Sequence, residues 1–257
     1  MHILVTNDDG VQAPGLLALV KEMRKLGEVT VYAPDKNWSA SGHVKTMERP
    51  LRVRETRLAD GSAAFMSDGA PSDCVALALL GLVQNVDLVV SGINPHANIG
   101  HDVTYSGTVT AAMEGAIAGV YGIAVSLDSP DNYGELLDYS TAAIVGRRVA
   151  EKVLDDGLPK GVLLNVNVPY LLESELNGYL ITRQGLRVYR DALDKRIDPR
   201  GKPYYWIGGE APTGVDEPGT DFGALRAGYV SVTPLQLDLT AREAIETLQR
   251  WDWPNEQ

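Results

Sequence analysis

Short apolar runs alternate with helical patterns through roughly the first two thirds of the chain. Strand-like runs rich in Val, Ile and Leu occupy residues 2–6, 29–33, 87–91, 123–127 and 162–168. Helical spacing of apolar residues covers residues 14–26, 71–82, 107–118 and 136–154. Such alternation is typical of βαβ units, which build a parallel sheet with helices on both faces. We therefore predict an α/β fold with a mostly parallel sheet, and we expect the nearly all-apolar helix 71–82 to be buried.

The pattern changes after Pro169. Residues 179–235 carry short strand-like runs, many Gly and Pro, and the aromatic run Tyr204-Tyr205-Trp206, and a closing helix is predicted over 241–251. We therefore predict an α/β core over residues 1–178 and a C-terminal antiparallel extension over 179–257. If exposed, its aromatic residues suit a subunit interface; a loop-rich cap that packs on its own core fits the sequence equally well.

Two adjacent carboxylates follow the first predicted strand, in Asn7-Asp8-Asp9-Gly10. In an open parallel sheet, ligands gather beyond the carboxyl ends of the strands. Neighbouring carboxylates in a confined site repel each other unless a cation or a proton intervenes, and Mg²⁺ or Mn²⁺ prefers such oxygen ligands. A solvated Asx turn is the alternative, because Asn-Asp-Gly clusters commonly form turns.

Two further polar segments follow strands of the same predicted sheet. The loop at 35–43 carries Ser39 and Ser41, which are also ordinary turn residues. The segment 91–100 carries Asn94 and Asn98, whose amides can serve a metal or a phosphate. Ser106, Gly107 and Thr108 open a predicted helix, where free N–H groups attract anions; simple helix capping is the alternative. Together these segments predict a metal-held phosphate site.

Charge and composition exclude several classes of protein. The formal charge of −11, with no basic cluster, argues against a nucleic-acid-binding surface. No run approaches the roughly 18 apolar residues needed to span a bilayer, and the start of the chain lacks a signal-peptide layout. The single Cys74 allows no intramolecular disulfide and fits a reducing compartment. A cytoplasmic protein with no membrane partner is the expectation.

Other enzyme classes fit the motifs less well. The chain lacks Gly-x-Gly-x-x-Gly after the first strand and Gly-x-x-x-x-Gly-Lys-Ser/Thr, which argues against dinucleotide-binding and P-loop proteins. Three loop histidines (His43, His96 and His101) lack zinc-ligand spacing. A non-catalytic nucleotide- or metal-binding module and an aspartate-nucleophile phosphatase remain as rivals, although the Asp-x-Asp spacing usual for the latter is absent.

Several ordered motifs together resemble the stationary-phase survival protein SurE family of metal-dependent 5′/3′-nucleotidases. They run from residue 7 to residue 235: Asn7-Asp8-Asp9-Gly10, Ala33-Pro34-Asp35 with Ser39, Gly69-x-Pro71-x-Asp73-Cys74, Ser91-Gly92-Ile93-Asn94 through Asn98-x-Gly100, Asp102-x-x-Tyr105-Ser106-Gly107-Thr108-Val109, Asn165-x-Asn167-Val168-Pro169, and Gly228-Tyr229-Val230-Ser231-x-Thr233-Pro234-Leu235. One departure is His96, where the family commonly has Gly; it bears on the path of the loop and on contacts with the substrate's base.

The resemblance implies a Rossmann-like fold and one divalent cation per subunit, Mg²⁺ or Mn²⁺. It implies that Asp8, Asp9, Ser39 and Asn94 hold this cation, and that Asn98 with residues 106–108 contacts the substrate phosphate. It further implies hydrolysis of nucleoside monophosphates, in some members also of short polyphosphate, by dimers or tetramers whose C-terminal extensions exchange between subunits. Asp8 and Asp9 are then the catalytic carboxylates, with Asp9 a candidate base for the attacking water.

Overall fold

The structure, a computed structural model, describes residues 1–130 and 136–253. Eleven strands are formed within these residues: β1 His2–Thr6, β2 Glu28–Pro34, β3 Val53–Arg57, β4 Ala63–Ser67, β5 Leu88–Asn94, β6 Tyr121–Asp128, β7 Val162–Pro169, β8 Tyr179–Ile181, β9 Arg187–Ile197, β10 Pro203–Gly214 and β11 Val230–Gln236. Six α-helices accompany them: α1 Pro14–Met23, α2 Pro71–Leu77, α3 Gly107–Ile117, α4 Ser140–Asp156, α5 Asp221–Arg226 and α6 Arg242–Gln249.

Nine strands form one sheet in the order β3-β4-β2-β1-β5-β6-β7-β11-β8. The strands from β4 to β7 in this order run parallel. β3 pairs antiparallel with β4, and β11 pairs antiparallel with β7. The predicted α/β fold with a mostly parallel sheet and antiparallel additions is confirmed. Strand order reverses between β1 and β5, because β2 lies on one side of β1 and β5 on the other.

Helices cover both faces of the sheet. α1 and α4 pack together over one face, where Leu16, Leu19 and Val145 join the largest core cluster. α2 and α3 pack together over the other face, and Gly115 of α3 approaches Val89 of β5 closely. No helix within the described ranges is long and apolar enough to cross a membrane.

The residues beyond 178 contribute to both sheets of the structure. β11 and β8 extend the main sheet, and β8 runs parallel to β11. β9 and β10 form a separate two-stranded antiparallel hairpin. Strands from both sides of residue 178 therefore share one sheet, and the division of the chain at that residue stays a prediction.

Several predicted element boundaries need correction. The helix predicted over 71–82 narrows to Pro71–Leu77 followed by a wider turn over Ala78–Leu82, because Gly81 adopts a positive φ of 144°. Leu80 and Leu82 are exposed, so its second half is not buried as expected. The helix predicted from 136 begins at Ser140, whose N–H is capped by the Asp138 carboxylate at 2.8 Å.

The ends of three other elements also differ from the prediction. The helix predicted to residue 26 ends at Met23, and shorter-range turns follow it. The strand predicted to end at residue 91 continues to Asn94, which makes Asn94 the last residue of β5. The closing helix is shorter than predicted and covers Arg242–Gln249.

Candidate active site

The predicted acidic motif lies where the strand order reverses. Asp8 and Asp9 follow β1, Asn94 ends β5, and β1 and β5 are hydrogen-bonded neighbours with Thr6 opposite Ser91. The crevice beyond the carboxyl ends of two such strands is the usual ligand site of an open α/β sheet. The fold therefore brings the two aspartates and Asn94 to the same crevice.

Asp8 is buried against the first turn of α3. Thr108 donates its hydroxyl to Asp8 Oδ1 at 2.6 Å and its main-chain N–H to Asp8 Oδ2 at 3.1 Å. Gly107 makes this approach possible, since a Cβ there would lie 2.8 Å from Asp8 Cβ. Burial raises the pKa of the Asp8 carboxyl, and the hydrogen bonds from Thr108 oppose that rise. The helix therefore orients the Asp8 carboxylate. The raised pKa shows that these hydrogen bonds do not fully compensate the cost of burying its negative charge.

Asp9 faces the loop that follows β2. Asn37 donates its amide to Asp9 Oδ1 at 3.1 Å and accepts the N–H of Ser39 at 2.8 Å. Trp38 donates its N–H to the Asp8 carbonyl at 2.7 Å. Burial, followed by the charge of Asp8, raises the pKa of Asp9 to about 7, and the bond from Asn37 opposes this. The main chain of Ser39 is therefore linked to Asp9 through Asn37, a residue that the sequence reasoning did not single out.

Several buried oxygen atoms at this crevice have no hydrogen-bond partner among the described residues. They belong to the side chains of Thr6, Asn7, Ser41 and Ser91. Buried polar atoms are nearly always satisfied in native proteins, so these atoms indicate a place for a ligand or for ordered water. Ser41 lies near Asp8, because a Cβ on Gly107 would meet both Ser41 Oγ and Asp8 Oδ2.

The residues present fit a hard divalent cation. Two carboxylates of raised proton affinity lie side by side, and a cation would relieve the repulsion between them. Asn94 donates an N–H of its side-chain amide to the His96 carbonyl. Its amide oxygen is not used in this bond and could serve as a ligand of the cation. Among the described residues no group of three or more His, Cys, Asp or Glu could hold a metal. That finding is compatible with the predicted set, which has only two such residues and completes its ligands with neutral oxygens.

The raised pKa of Asp9 predicts that metal-free protein loses stability as the pH rises. The folded carboxyl keeps its proton up to about pH 7, whereas the unfolded one releases it near its ordinary value of 3.8. The stability linked to this proton is complete below pH 3.8 and is lost as pH rises through 7. Asp9→Asn removes the penalty, so in EDTA we expect its Tm to exceed the wild-type Tm by several degrees at pH 8 and by little at pH 4. Each 1 kcal/mol moves the Tm of a domain this size by roughly 2–4 °C.

Asp60 provides a control of opposite sign for these melting curves. Hydrogen bonds from Ser62, followed by one from Arg24, hold the pKa of this exposed carboxyl below its ordinary value. Asp60→Asn should therefore lower the Tm slightly above pH 4, and the difference should shrink as the pH falls further below 4. A Tm of Asp9→Asn that falls below wild type at pH 8 would contradict the repulsion inferred for the two aspartates.

Asn98 lies in the same loop as Asn94 but over the ends of the next two strands. Its side-chain amide donates to Ser126 Oγ at 2.8 Å, and its N–H donates to Asn167 Oδ1 at 2.8 Å. The amides of Asn165 and Asn167 both donate to its carbonyl, at 2.7 and 3.1 Å. These buried amides hold the main chain of Asn98 in one orientation. The second N–H of its side-chain amide has no partner among residues 1–130 and 136–253, which is compatible with the predicted phosphate contact.

The predicted anion site at the start of α3 is partly used by the protein itself. Ser106 caps the helix by accepting the N–H of Val109 at 3.1 Å, and Thr108 donates both of its groups to Asp8. Within the described part of the chain, the hydroxyl proton of Ser106 and the N–H of Gly107 remain for a phosphate. The predicted contact of residues 106–108 with substrate therefore stays a prediction, with Ser106 and Gly107 as its donors.

The segment that carries Ser39 and Ser41 is anchored on α3. His43 Nε2 lies 2.9 Å from the Glu114 carboxylate, and Lys45 approaches the same group. The Thr110 hydroxyl lies 3.1 Å from the Gly42 carbonyl and shares its one proton between that oxygen and the Ser106 carbonyl at 2.9 Å. The bond from His43 lowers the pKa of Glu114 against the effect of burial. One helix thus positions Asp8 through Thr108 and the serine segment through Thr110 and Glu114.

A family model described as "Survival protein SurE" matches residues 3–191 of this chain. The chain belongs to the SurE family. The resemblance drawn from the motifs is thereby confirmed, and the matched range contains all the residues predicted for the metal and phosphate sites.

Full-length relatives and a solved structure of the SurE family agree with this assignment. A 5′-nucleotidase SurE from Herpetosiphon aurantiacus is 54% identical over 256 residues, covering 99% of this chain and 100% of the relative. A 5′-nucleotidase SurE 1 from Thermus thermophilus is 51% identical over 250 residues, covering 96% of each. The crystal structure of the SurE protein from Aquifex aeolicus superposes with a TM-score of 0.82 at 41% identity, covering 97% of this chain and 98% of that one.

Proposed function

We propose that this chain is a divalent-cation-dependent phosphomonoesterase that hydrolyses nucleoside 5′- and 3′-monophosphates to nucleoside and phosphate. The observation that carries the proposal is the pair Asp8 and Asp9, both with raised pKa, at the β1/β5 crevice beside the start of α3. The similarity to relatives named 5′-nucleotidases supports the nucleotide as substrate. Cleavage of short polyphosphate belongs to the same proposal.

The oxygen donors of this site suit a divalent cation. Asp8 and Asp9 would hold it with their carboxylates, Asn94 with its amide oxygen and Ser39 with its hydroxyl. We propose one ion per subunit, Mg²⁺ or Mn²⁺, because the donors are all oxygen. When bound, such an ion polarises a phosphoryl oxygen and acidifies a water molecule.

The protein's own groups would orient the substrate and move the proton. Thr108 fixes both oxygens of Asp8, so that carboxylate keeps its direction during the reaction. Asn98, Ser106 and Gly107 would donate to the equatorial phosphoryl oxygens, where negative charge is concentrated. Asp9, the second carboxylate of the pair, is the candidate base for the attacking water.

Release of phosphate from a panel of phosphomonoesters tests the proposal. We expect nucleoside monophosphates to be hydrolysed with Mg²⁺ or Mn²⁺, activity to vanish in EDTA, and activity to return when the cation is restored. Titration calorimetry should give one cation site per chain. Saturable nucleotide binding without phosphate release under any metal would instead support a binding module. Trapping of an acyl-phosphate on Asp8 or Asp9 would support the aspartate-nucleophile mechanism.

Assembly and location form the remaining part of the proposal. Within the β9/β10 hairpin Leu193, Trp206 and Ile207 are exposed, and exposed apolar groups of this kind suit an interface between subunits. We propose a homodimer or homotetramer in which residues 179–257 serve as an arm on the core of residues 1–178. The cytoplasm is the proposed location.

A further inference from the structure

β6 and β7 are apolar strands that carry buried polar side chains near their carboxyl ends. Ser126 belongs to β6, Asn165 and Asn167 belong to β7, and all three residues are fully buried. Ser126 lies opposite Asn167 in the register of the two strands, and residues two apart in a strand face the same side of the sheet. A buried hydroxyl or amide costs free energy unless it is hydrogen-bonded. These side chains therefore call for a common polar partner.

The partner that they share is Asn98, in the loop between β5 and α3. Asn167 contacts the main chain of Asn98 at two points, because it accepts the N–H at 2.8 Å and donates to the carbonyl at 3.1 Å. Asn165 donates to the same carbonyl at 2.7 Å. Both main-chain groups of Asn98 are thus satisfied by β7, which fixes the position of this residue relative to the sheet.

Ser126 acts on the side chain of Asn98 instead. Its Oγ accepts one N–H of the Asn98 amide at 2.8 Å, and this bond fixes the plane of the amide because the main chain is already held. The direction of the second amide N–H follows from that plane. This second N–H has no partner among residues 1–130 and 136–253, and it is the group proposed to donate to the substrate phosphate.

The loop keeps its anchor on the sheet without the bond to Ser126. Three hydrogen bonds from Asn165 and Asn167 hold its main chain, whereas Ser126 contacts only the side chain of Asn98. A donor that is oriented before the substrate arrives loses less conformational freedom on binding and keeps its direction in the transition state. The contact between Ser126 and Asn98 therefore favours phosphate binding more than it favours folding of the loop.

We propose that Ser126 is a positioning residue that acts on the substrate phosphate through the side chain of Asn98, and that Asn167 positions the main chain of the same residue. The proposal rests on the proposed function and deepens it, because it identifies what orients the phosphate contact. A single serine within an apolar strand carries no signal for this role in the sequence.

A double-mutant cycle tests whether Ser126 acts through Asn98. The affinity for inorganic phosphate, the product of the proposed reaction, should be measured by calorimetry at saturating Mg²⁺, together with kcat and KM for a nucleoside monophosphate. We expect Ser126→Ala to lower phosphate affinity and kcat/KM by about tenfold, since the freed amide must be ordered on binding. Asn98→Ala should lower both by at least as much.

The decisive value of the cycle is the effect of Ser126→Ala in the Asn98→Ala background. There we expect no further loss beyond about twofold, because the group that Ser126 orients has been removed. A loss of the same size in both backgrounds would show that Ser126 acts on the fold in general, and would overturn the proposal. Wild-type phosphate affinity in either single variant would overturn it as well.

Ser67→Ala is the matched control for the loss of a buried hydroxyl. Ser67 is buried at the end of β4 in the same sheet, and its Oγ accepts the N–H of Gly69 at 3.1 Å. The substitution should lower the Tm about as much as Ser126→Ala and leave phosphate affinity and kcat/KM at wild-type values. An equal fall of phosphate affinity in Ser67→Ala would assign both effects to stability and contradict the positioning role.

Asn167→Ala tests the hold on the main chain. It removes two of the three hydrogen bonds between β7 and Asn98, so we expect phosphate affinity to fall by about tenfold or more. Cation affinity should stay at its wild-type value, since Asp8 and Asp9 follow β1. Asn165→Ala removes only the third bond and should have the smaller effect. Parallel losses of phosphate and cation affinity in Asn167→Ala would indicate general unfolding and reject the role of Asn167.

Phosphate binding also separates this proposal from the proposed function. Wild-type protein that binds inorganic phosphate through Asn98 and Ser126, but releases none from any ester, would contradict the phosphatase and leave the positioning role standing. Wild-type protein that hydrolyses nucleotides, while Ser126→Ala does so with unchanged kcat/KM and phosphate affinity, would leave the phosphatase standing and reject the positioning role.

Discussion

Asp9→Asn is expected to lower cation-dependent phosphate release from a nucleoside monophosphate by about a thousandfold, and Asp8→Asn by at least as much. Metal polarisation contributes several kcal/mol to such reactions, and each 1.4 kcal/mol corresponds to about tenfold in rate. Asp9→Asn is the cleaner variant, because an amide oxygen can still accept the bond from Asn37. Asp8→Asn also replaces one of the two oxygens that receive Thr108.

Stability and cation binding should be measured on the same variants. If metal-free Asp9→Asn has the higher Tm that we expect, unfolding is excluded as the cause of its inactivity. Asp60→Asn, an exposed aspartate held by Ser62 and Arg24, should keep wild-type activity. Recovery of Asp9→Asn at saturating Mn²⁺ would assign Asp9 to cation binding alone, whereas inactivity with the cation fully bound would assign it a proton-transfer role as well. Wild-type turnover in both Asp8→Asn and Asp9→Asn would contradict the site.

Gly107→Ala should reduce the same activity by about a hundredfold although it adds a single methyl group. The new Cβ would lie 2.8 Å from Asp8 Cβ, 3.0 Å from Asp8 Oδ2 and 3.2 Å from Ser41 Oγ. Asp8 would have to move away from α3 and lose its bonds from Thr108. A displacement near 1 Å in a catalytic group is enough for a loss of about this size.

Gly208→Ala is the control for this substitution. A Cβ at Gly208, in β10, meets no atom within 4 Å, so activity and Tm should both stay at wild-type values. Activity of Gly107→Ala within twofold of wild type would show that the contact between Asp8 and α3 is not needed for the reaction. Cation affinity measured by calorimetry should fall in parallel with activity, because the displaced carboxylate is a proposed ligand.

Local sequence patterns were sufficient for the core of the fold because its strands and helices have strong periodicity. β1 and β7 were predicted to within one residue, since β1 is a short aliphatic run and β7 is rich in Val and Leu and ends at Pro169. The start of α4 was missed because it depends on a cap from Asp138 and not on the apolar stripe. The exposure of Leu80 and Leu82 was missed because composition does not reveal the positive φ of Gly81.

The sequence predicted those site residues whose chemistry is evident from their type and their position after a strand. Asp8 and Asp9 stand out because adjacent carboxylates after a strand need an explanation. Asn37 was not singled out, because its bond to Asp9 joins positions 28 residues apart. The bond between Asp8 and Thr108 spans 100 residues, and that between Gly100 and Asp221 spans 121. Contacts at such separations follow from strand order, which no local pattern specifies.

The place of β11 between β7 and β8 has a consequence for synthesis on the ribosome, where chains emerge from the N-terminus and domains tend to fold in that order. Every residue proposed to hold the cation or the phosphate lies before position 109, so that half of the crevice is translated early. β8 has β11 as its neighbour in the sheet, and the two are separated by the whole β9/β10 hairpin. β8 therefore has no partner strand in the sheet until residues 230–236 have been translated.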